Sequence, residues 1–432
     1  MSTSRERGST ANDSSSTDVE VNQAQLPQIS EKQIQSPPDG GLTSWLAVLG
    51  GACIYFSTLG YANSFGVFQQ YYETHQLAGD TPDNIAWIGS LANFLQFGFG
   101  AFTGALFDRL GPWIIYPAAV VHVFTFMMIS LCKTYWQFML AQGVLLGITQ
   151  GAMVVPATAA VSQHFAKKRG LAMGLTVAGS SVGGIVLPIS LSKMLNGSTL
   201  GFGWSVRVIG FILVVPMGIA CLTVRSHQVS QKLPFHPREV IKNKSYLILT
   251  GSLFIVLLGM YTPLYYLPSY AVAHGMDPTL SSYLLAVFNA ASTIGRIIPG
   301  IAADKIGHFN VYASAGVATG IVTLCWSKAT SSAGIIVCTA FIGFTSGTIL
   351  SAVASTFPLC LKDPRQTGIY MGIGLAFASL ASLIGPPISG VLLREYGGFG
   401  PLTYFSGVAC LVGGVVGALC KLTFPQGLLG KL

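Results

Sequence analysis

Gly104-Ala105-Leu106-Phe107-Asp108-Arg109-Leu110-Gly111 returns 196 residues later as Gly300-Ile301-Ala302-Ala303-Asp304-Lys305-Ile306-Gly307. Each copy places a glycine, an acid, a base and a second glycine at the same spacing, directly after an apolar stretch. A second pair, Arg169 and Arg365, stands at the same offset of 196, and Leu187-Pro188-Ile189-Ser190 meets Pro386-Pro387-Ile388-Ser389 at 199. Three matches in nearly one register indicate a unit used twice, a parallel repeat of the kind that builds some transporters.

Working outward, the segments around these motifs are apolar and long. A membrane span needs about 20 mostly apolar residues, and such stretches lie near 42–68, 84–107, 112–132, 136–162, 170–194 and 204–224, then near 245–272, 281–303, 310–327, 333–358, 367–393 and 401–420. The expected fold is an all-α membrane protein with twelve transmembrane helices in two six-helix pseudo-repeats. Residues 39–224 form the first half, 225–244 a cytoplasmic linker and 245–424 the second half, with a disordered, Ser- and Gln-rich cytoplasmic tail at 1–38 and a short one at 425–432. Only 9% of the 432 residues are charged and 51% are hydrophobic, far from the composition of a water-soluble domain. The 51 glycines suit helices that approach closely through small side chains.

The net charge of +8 is scattered singly rather than massed on one face, which argues against nucleic acid as a partner. Most of the 23 Lys and Arg, among them Lys167, Lys168, Arg169, Arg225 and Lys244, fall on the side of the two acidic motifs, while Lys133, Lys193, Arg207, Lys328 and Arg394 fall opposite. Positive charge marks the cytoplasmic face, so both termini are expected inside, with the plasma membrane as the expected site. The eight cysteines have neither metal-type nor C-x-x-C spacing and read as small packing residues. Of the N-x-S/T sites at Asn12, Asn196 and Asn243, only Asn196 would face outside.

The repeated G-x-x-x-D-[RK]-x-G pattern resembles the signature between the second and third helices of the major facilitator superfamily. Two further stretches look like its monocarboxylate porter family, in a fungal-type branch. One is Pro38-Asp39-Gly40-Gly41-Leu42-Thr43-Ser44-Trp45, which departs from the family pattern at Leu42 and by one extra residue before Trp45. The other runs from His164 through Gly170 and Gly174 to Gly179 and Gly183, glycines spaced for one helix face. The resemblance implies a gating role for Asp108, Arg109, Arg169, Asp304 and Lys305 at the inner membrane edge. The plainer alternative is a polar turn with an interfacial ion pair.

Arg296 lies eight residues before Asp304, about 12 Å into the membrane along a helix. So deep a cation is costly and usually faces a watery path. The family has an arginine at this point of its eighth helix that pairs with the substrate carboxylate, so the resemblance gives that role to Arg296; a guanidinium fork suits a carboxylate. A structural arginine bonded to backbone carbonyls is the other reading. Asn63, Gln150, Tyr261, Tyr265, Asn289 and Thr345 are further candidates for the central path, each as apt to bond a neighbouring helix as a substrate. Proton-coupled members of the family carry a lysine and an acid where this chain has Asn63 and Ser292, and no Asp or Glu falls inside the spans as drawn. His122 is titratable, yet a single helix histidine is more often structural.

These readings converge on a secondary transporter of a small organic anion, a monocarboxylate or acidic secondary metabolite, working by alternating access and possible as an exporter. The partners are then that anion and the bilayer. The sequence asks for no cofactor, holds no G-x-x-x-x-G-K-[ST] for nucleotide, and offers no set of residues arranged for enzyme catalysis. The alternative is a non-transporting receptor of the same fold.

Overall fold

The computed structural model describes residues 40–165, 169–225, 242–360, 367–424 and 427. Their long helical segments, in chain order, are α1 (Leu42–Thr74), α2 (Pro82–Leu110), α3 (Gly111–Ile129), α4 (Tyr135–Val161), α5 (Arg169–Asn196), α6 (Gly201–Thr223), α7 (Lys244–Ala273), α8 (Pro278–Ile306), α9 (His308–Trp326), α10 (Ser332–Thr356), α11 (Thr367–Tyr396) and α12 (Gly400–Leu419). Ten of these are long and apolar enough to cross a membrane. The other two are α2 and α8, each 29 residues and so about 44 Å long. Their hydropathy is lowered by residues such as Asn93 and Gln96 on α2, and Asn289, Ser292 and Arg296 on α8.

Both of these helices are built from the same punctuation. Each starts with a proline, Pro82 or Pro278, whose missing N–H is harmless in a first turn. Asp277 also caps α8, its carboxylate accepting from the backbone N–H groups of Thr279 and Leu280 at 2.8 and 3.2 Å. Each ends on the last glycine of the repeated motif, Gly111 at φ 62° and Gly307 at φ 104°, backbone that side chains rarely adopt. The motif expected as a loop is therefore the last helical turn plus its stop, because helix propensity continues through Leu110 and Ile306 until glycine ends it.

Polar residues past position 68 do not end the first span either. Gln69, Gln70, Tyr71 and Tyr72 are buried and helix continues to Thr74, so Glu73 lies within α1 and the expected absence of acids from the spans is corrected. Two mid-helix breaks matter below. In α1 the chain departs from helix at Thr58 and again at Asn63–Ser64, with Ser57 and Thr58 hydroxyls donating back to the carbonyls of Cys53 and Ile54. In α7 it breaks at Tyr261, just before Pro263.

Packing follows glycine. In the first half α1 lies on α5 and α6, α2 on α4, and α3 on α4 and α6; in the second, α7 lies on α11 and α12, α8 on α10, and α9 on α10 and α12. Each pairing recurs six segments on. A Cβ at Gly179 would meet the carbonyl of Ala52, and one at Gly183 that of Phe56, so the glycine face expected on α5 does seat against α1. Large apolar side chains such as Val120, Val215, Val337 and Val408 remain exposed around the bundle, as a lipid-facing surface requires. Across the two halves, α2 packs on α11, α5 on α8, and the end of α1 on the end of α7.

Candidate functional site

On α8, Leu285, Asn289, Ser292, Arg296 and Ala303 share one inward face at helical spacing, while Ile294, Ile297 and Ile298 are exposed on the other. That inward face meets the two helix breaks. Asn63, Tyr261, Tyr265, Asn289 and Arg296 line one cavity of about 40 Å³ between the halves, together with Ser292. Such a volume holds a few waters and no organic acid.

Arg296 reaches from the second half to the first, its Nη1 donating to Ser180 Oγ at 3.1 Å and Ser181 Oγ at 3.4 Å on α5. Its Nε has no partner, and no acid pairs with it among the described residues. The partners are hydroxyls rather than the carbonyls of a purely structural arginine. The phenols of Tyr55 and Tyr261 lie within its electrostatic reach. The guanidinium is thus held by neutral hydroxyls and keeps an Nε–H donor free beside the cavity, and such a group has the chemistry to take an anion.

Asn289 ties the centre together. Its amide donates to the carbonyls of Gly184 at 3.1 Å and Leu285 at 2.8 Å, and its oxygen accepts from Asn63 at 2.7 Å. At the matching place on α2, Asn93 donates to Tyr265 Oη of α7 at 3.0 Å. Sequence reasoning missed Asn93; its offset of 196 from Asn289 was the available signal.

Two expected residues fall elsewhere. Thr345 turns back to the carbonyls of Phe341 and Ile342 in its own helix, and it is the next residue, Ser346, that lines the cavity. Gln150 lies in a side chamber of about 10 Å³, shared with Tyr61, Gln142 and Asn93. His122 is fully buried, with Nδ1 3.1 Å from Thr149 Oγ1 and Nε2 3.3 Å from the Ser57 carbonyl, which locks α3 to α4 and α1. Lys305 is exposed at the end of α8. The side chains of Asp108, Arg109, Arg169 and Asp304 lie outside the described residues.

The end of the bundle expected to face outward is closed by contacts between halves. Glu73 accepts from Gln69 at 2.7 Å on its own helix and from Ser269 of α7 at 2.9 Å; the two bridged positions are 196 residues apart. Asp83 of α2 pairs with Arg394 of α11 at 2.8 Å. Gly66 sits against the carbonyl of Leu264, and Phe65 packs on Tyr265 with ring centroids 4.9 Å apart. The sequence reading placed Arg394 only as an outer-side base and gave Glu73 and Asp83 no role, because each sits at a helix end, where a charge is unremarkable.

Comparison with known proteins fits this geometry. Residues 41–360 match the family model of the Major Facilitator Superfamily. An aspyridones efflux protein of Emericella nidulans is 44% identical over 385 residues, covering 89% of this chain and 79% of that protein. A fujikurins efflux protein of Gibberella fujikuroi is 40% identical over 390 residues, covering 88% and 83%. An agnestins efflux protein of Paecilomyces divaricatus is 39% identical over 389 residues, covering 89% of each. Among solved structures, a bacterial homologue of the human lysosomal transporter Spinster superposes with a TM-score of 0.69 at 14% identity, covering 89% of this chain and 98% of that one. The nucleoside transporter NupG does so at 0.66 and 12%, covering 88% and 98%; both likenesses speak to the fold alone. The relatives point to fungal efflux transporters rather than to monocarboxylate porters in particular.

Proposed function

The chain belongs to the Major Facilitator Superfamily, and on that premise we propose that it exports an acidic secondary metabolite, a small organic anion, by alternating access between its two halves. The observation that carries the anion is Arg296, a guanidinium beside an inter-half cavity with a free Nε–H and no acid partner among the described residues. Arg296 is half-buried with its Nε fully enclosed; a cation left unpaired in such surroundings is costly, and a substrate carboxylate or acidic enol is its natural counter-ion. Export is supported by the efflux proteins to which the chain is similar. No observation favours the receptor alternative.

In this reading α2 and α8 also cross the bilayer, which makes twelve spans in two six-helix repeats, with both termini cytoplasmic in the plasma membrane. The recurrence of each helix pairing six segments on supports the repeat. Asn63, Asn289, Tyr261 and Tyr265 complete the substrate cavity, and Ser346 takes the place first given to Thr345. Asp108, Arg109, Arg169, Asp304 and Lys305 act in gating; the placement of both acids in the final turns of matching helices supports that. The exposed end of α8 at Lys305 agrees with an interfacial position.

The test is export itself. Inside-out vesicles from a strain expressing the chain, offered a panel of fungal metabolite acids, should accumulate one or more of them. They should not accumulate the corresponding methyl esters. Equal accumulation of acid and ester, or of neither, contradicts the proposal.

A further inference from the structure

The side chamber holding Gln150 is small and mainly apolar, with three amide side chains, Asn93, Gln142 and Gln150, set into its wall. Gln150 is 1% exposed; its Nε2 donates to the Thr58 carbonyl at 3.3 Å, where α1 breaks, and its Oε1 has no partner. An orphaned amide oxygen asks for a donor. The chamber is not isolated, since Ala62, Phe65 and Asn93 line both it and the main cavity.

Two independent features show that the chamber is built rather than left over. One stretch beside it is a π-helical turn, Met139–Leu145 within α4, a local departure that often marks functional positions. That turn carries Gln142, whose Oε1 accepts from Tyr72 at 2.7 Å and whose Nε2 donates to Tyr61 Oη at 3.2 Å. Both ends of the Gln142 amide thus have a partner, whereas the Gln150 oxygen has none. Moreover, 196 residues after Gln150 stands Ser346, which lines the main cavity from α10. The repeat therefore aims both positions at the centre.

We propose that Gln150 is a specificity residue that accepts a hydrogen bond from a hydroxyl or amide N–H carried by the transported acid. This rests on the anion reading of Arg296. The substrate class is then narrower than an organic anion: an acid with a donor on a separate part of its skeleton. The second half fixes the charge through Arg296 and the first half reads the donor through Gln150, so one molecule engages both halves at once.

Binding to the purified full-length protein in lipid nanodiscs tests this, with hydroxyphenyl alkanoic acids of stepped chain length and the O-methyl ether of each as probes. At the length that spans the two points, the free hydroxyl should bind roughly tenfold more tightly than its ether, the worth of one neutral hydrogen bond. Gln150→Leu, or Gln150→Met if the leucine variant is not monodisperse, should bring that ratio to about one while the acids still depend on Arg296. A ratio near one in the wild type at every length overturns the proposal. So does a ratio that survives both substitutions, or a Gln150 variant that weakens hydroxyl and ether equally, which marks a purely structural role. Failure of the anion reading shows separately, as Arg296→Gln leaving the affinity of every acid unchanged.

Discussion

The contact of α2 with α4 and the contact of α8 with α10 are the same construction carried by different residues. On α4, Gly147 and Gly151 face the carbonyls of Ala92 and Gln96; on α10, Gly343 and Gly347 face those of Phe288 and Ser292, every position displaced by 196. Asn93 and Asn289 follow the same rule. Yet Gln96 stands where the second half has Ser292, and Gly100 where it has Arg296. Where backbone meets backbone only hydrogen fits, so the two halves agree; Ser292 and Arg296 instead line the main cavity, and there the halves differ. At this position the common scaffold thus carries a charge in the second half and a glycine in the first.

The largest effect expected from this comparison is on folding. Gly151→Leu and Gly347→Leu each drive a side chain into the backbone of the partner helix, a clash beyond the 1–3 kcal/mol of ordinary overpacking. Both should cut the yield of monodisperse protein about tenfold or more in size-exclusion chromatography. A tolerant site in one half and a lethal one in the other would break the equivalence. Next come the paired asparagines, which sharpen it. Asn289→Ala removes three hydrogen bonds and Asn93→Ala one, so losses of about 2–3 and about 1 kcal/mol are expected by thermal unfolding in detergent. Equal losses would mean that the bonds at Asn289 do not carry the load assigned to them. The smallest effect belongs to the closed end. The Arg394 side chain is 40% exposed in its pair with Asp83, and an ion pair that open to solvent is worth about 1 kcal/mol or less. Asp83→Asn should therefore change turnover only a few-fold, with half-saturation unchanged. A large loss of affinity would instead place Asp83 in substrate recognition.

What could be read from the sequence follows the same division. The motif pair at 104–111 and 300–307 was legible because glycine, acid and base recur at fixed spacing, and those glycines do terminate matching helices. Arg296 was legible because a deep cation stands out against an apolar span. The continuation of α1 to Thr74 was not, since Gln69, Gln70 and Glu73 look like loop residues until α7 covers them. Thr345 and Ser346 could not be separated either. One residue rotates a helix by about 100°, and only the packing of α10 on α8 decides which hydroxyl faces the cavity. Gln142 was hidden for a related reason, because the π-helical turn shifts the register that a regular helix would predict.

The central claim is that Arg296 pairs with the charge of the substrate. It is tested most directly by measuring affinity for a transported acid and for its uncharged primary amide, in the wild type, Arg296→Lys and Arg296→Gln. Arg296→Gln should weaken the acid by about 2–4 kcal/mol, some 30- to 1,000-fold, and the amide hardly at all; Arg296→Lys should fall between, keeping the charge but losing the fork. Equal weakening of acid and amide in Arg296→Gln would make this arginine a structural residue and contradict the account.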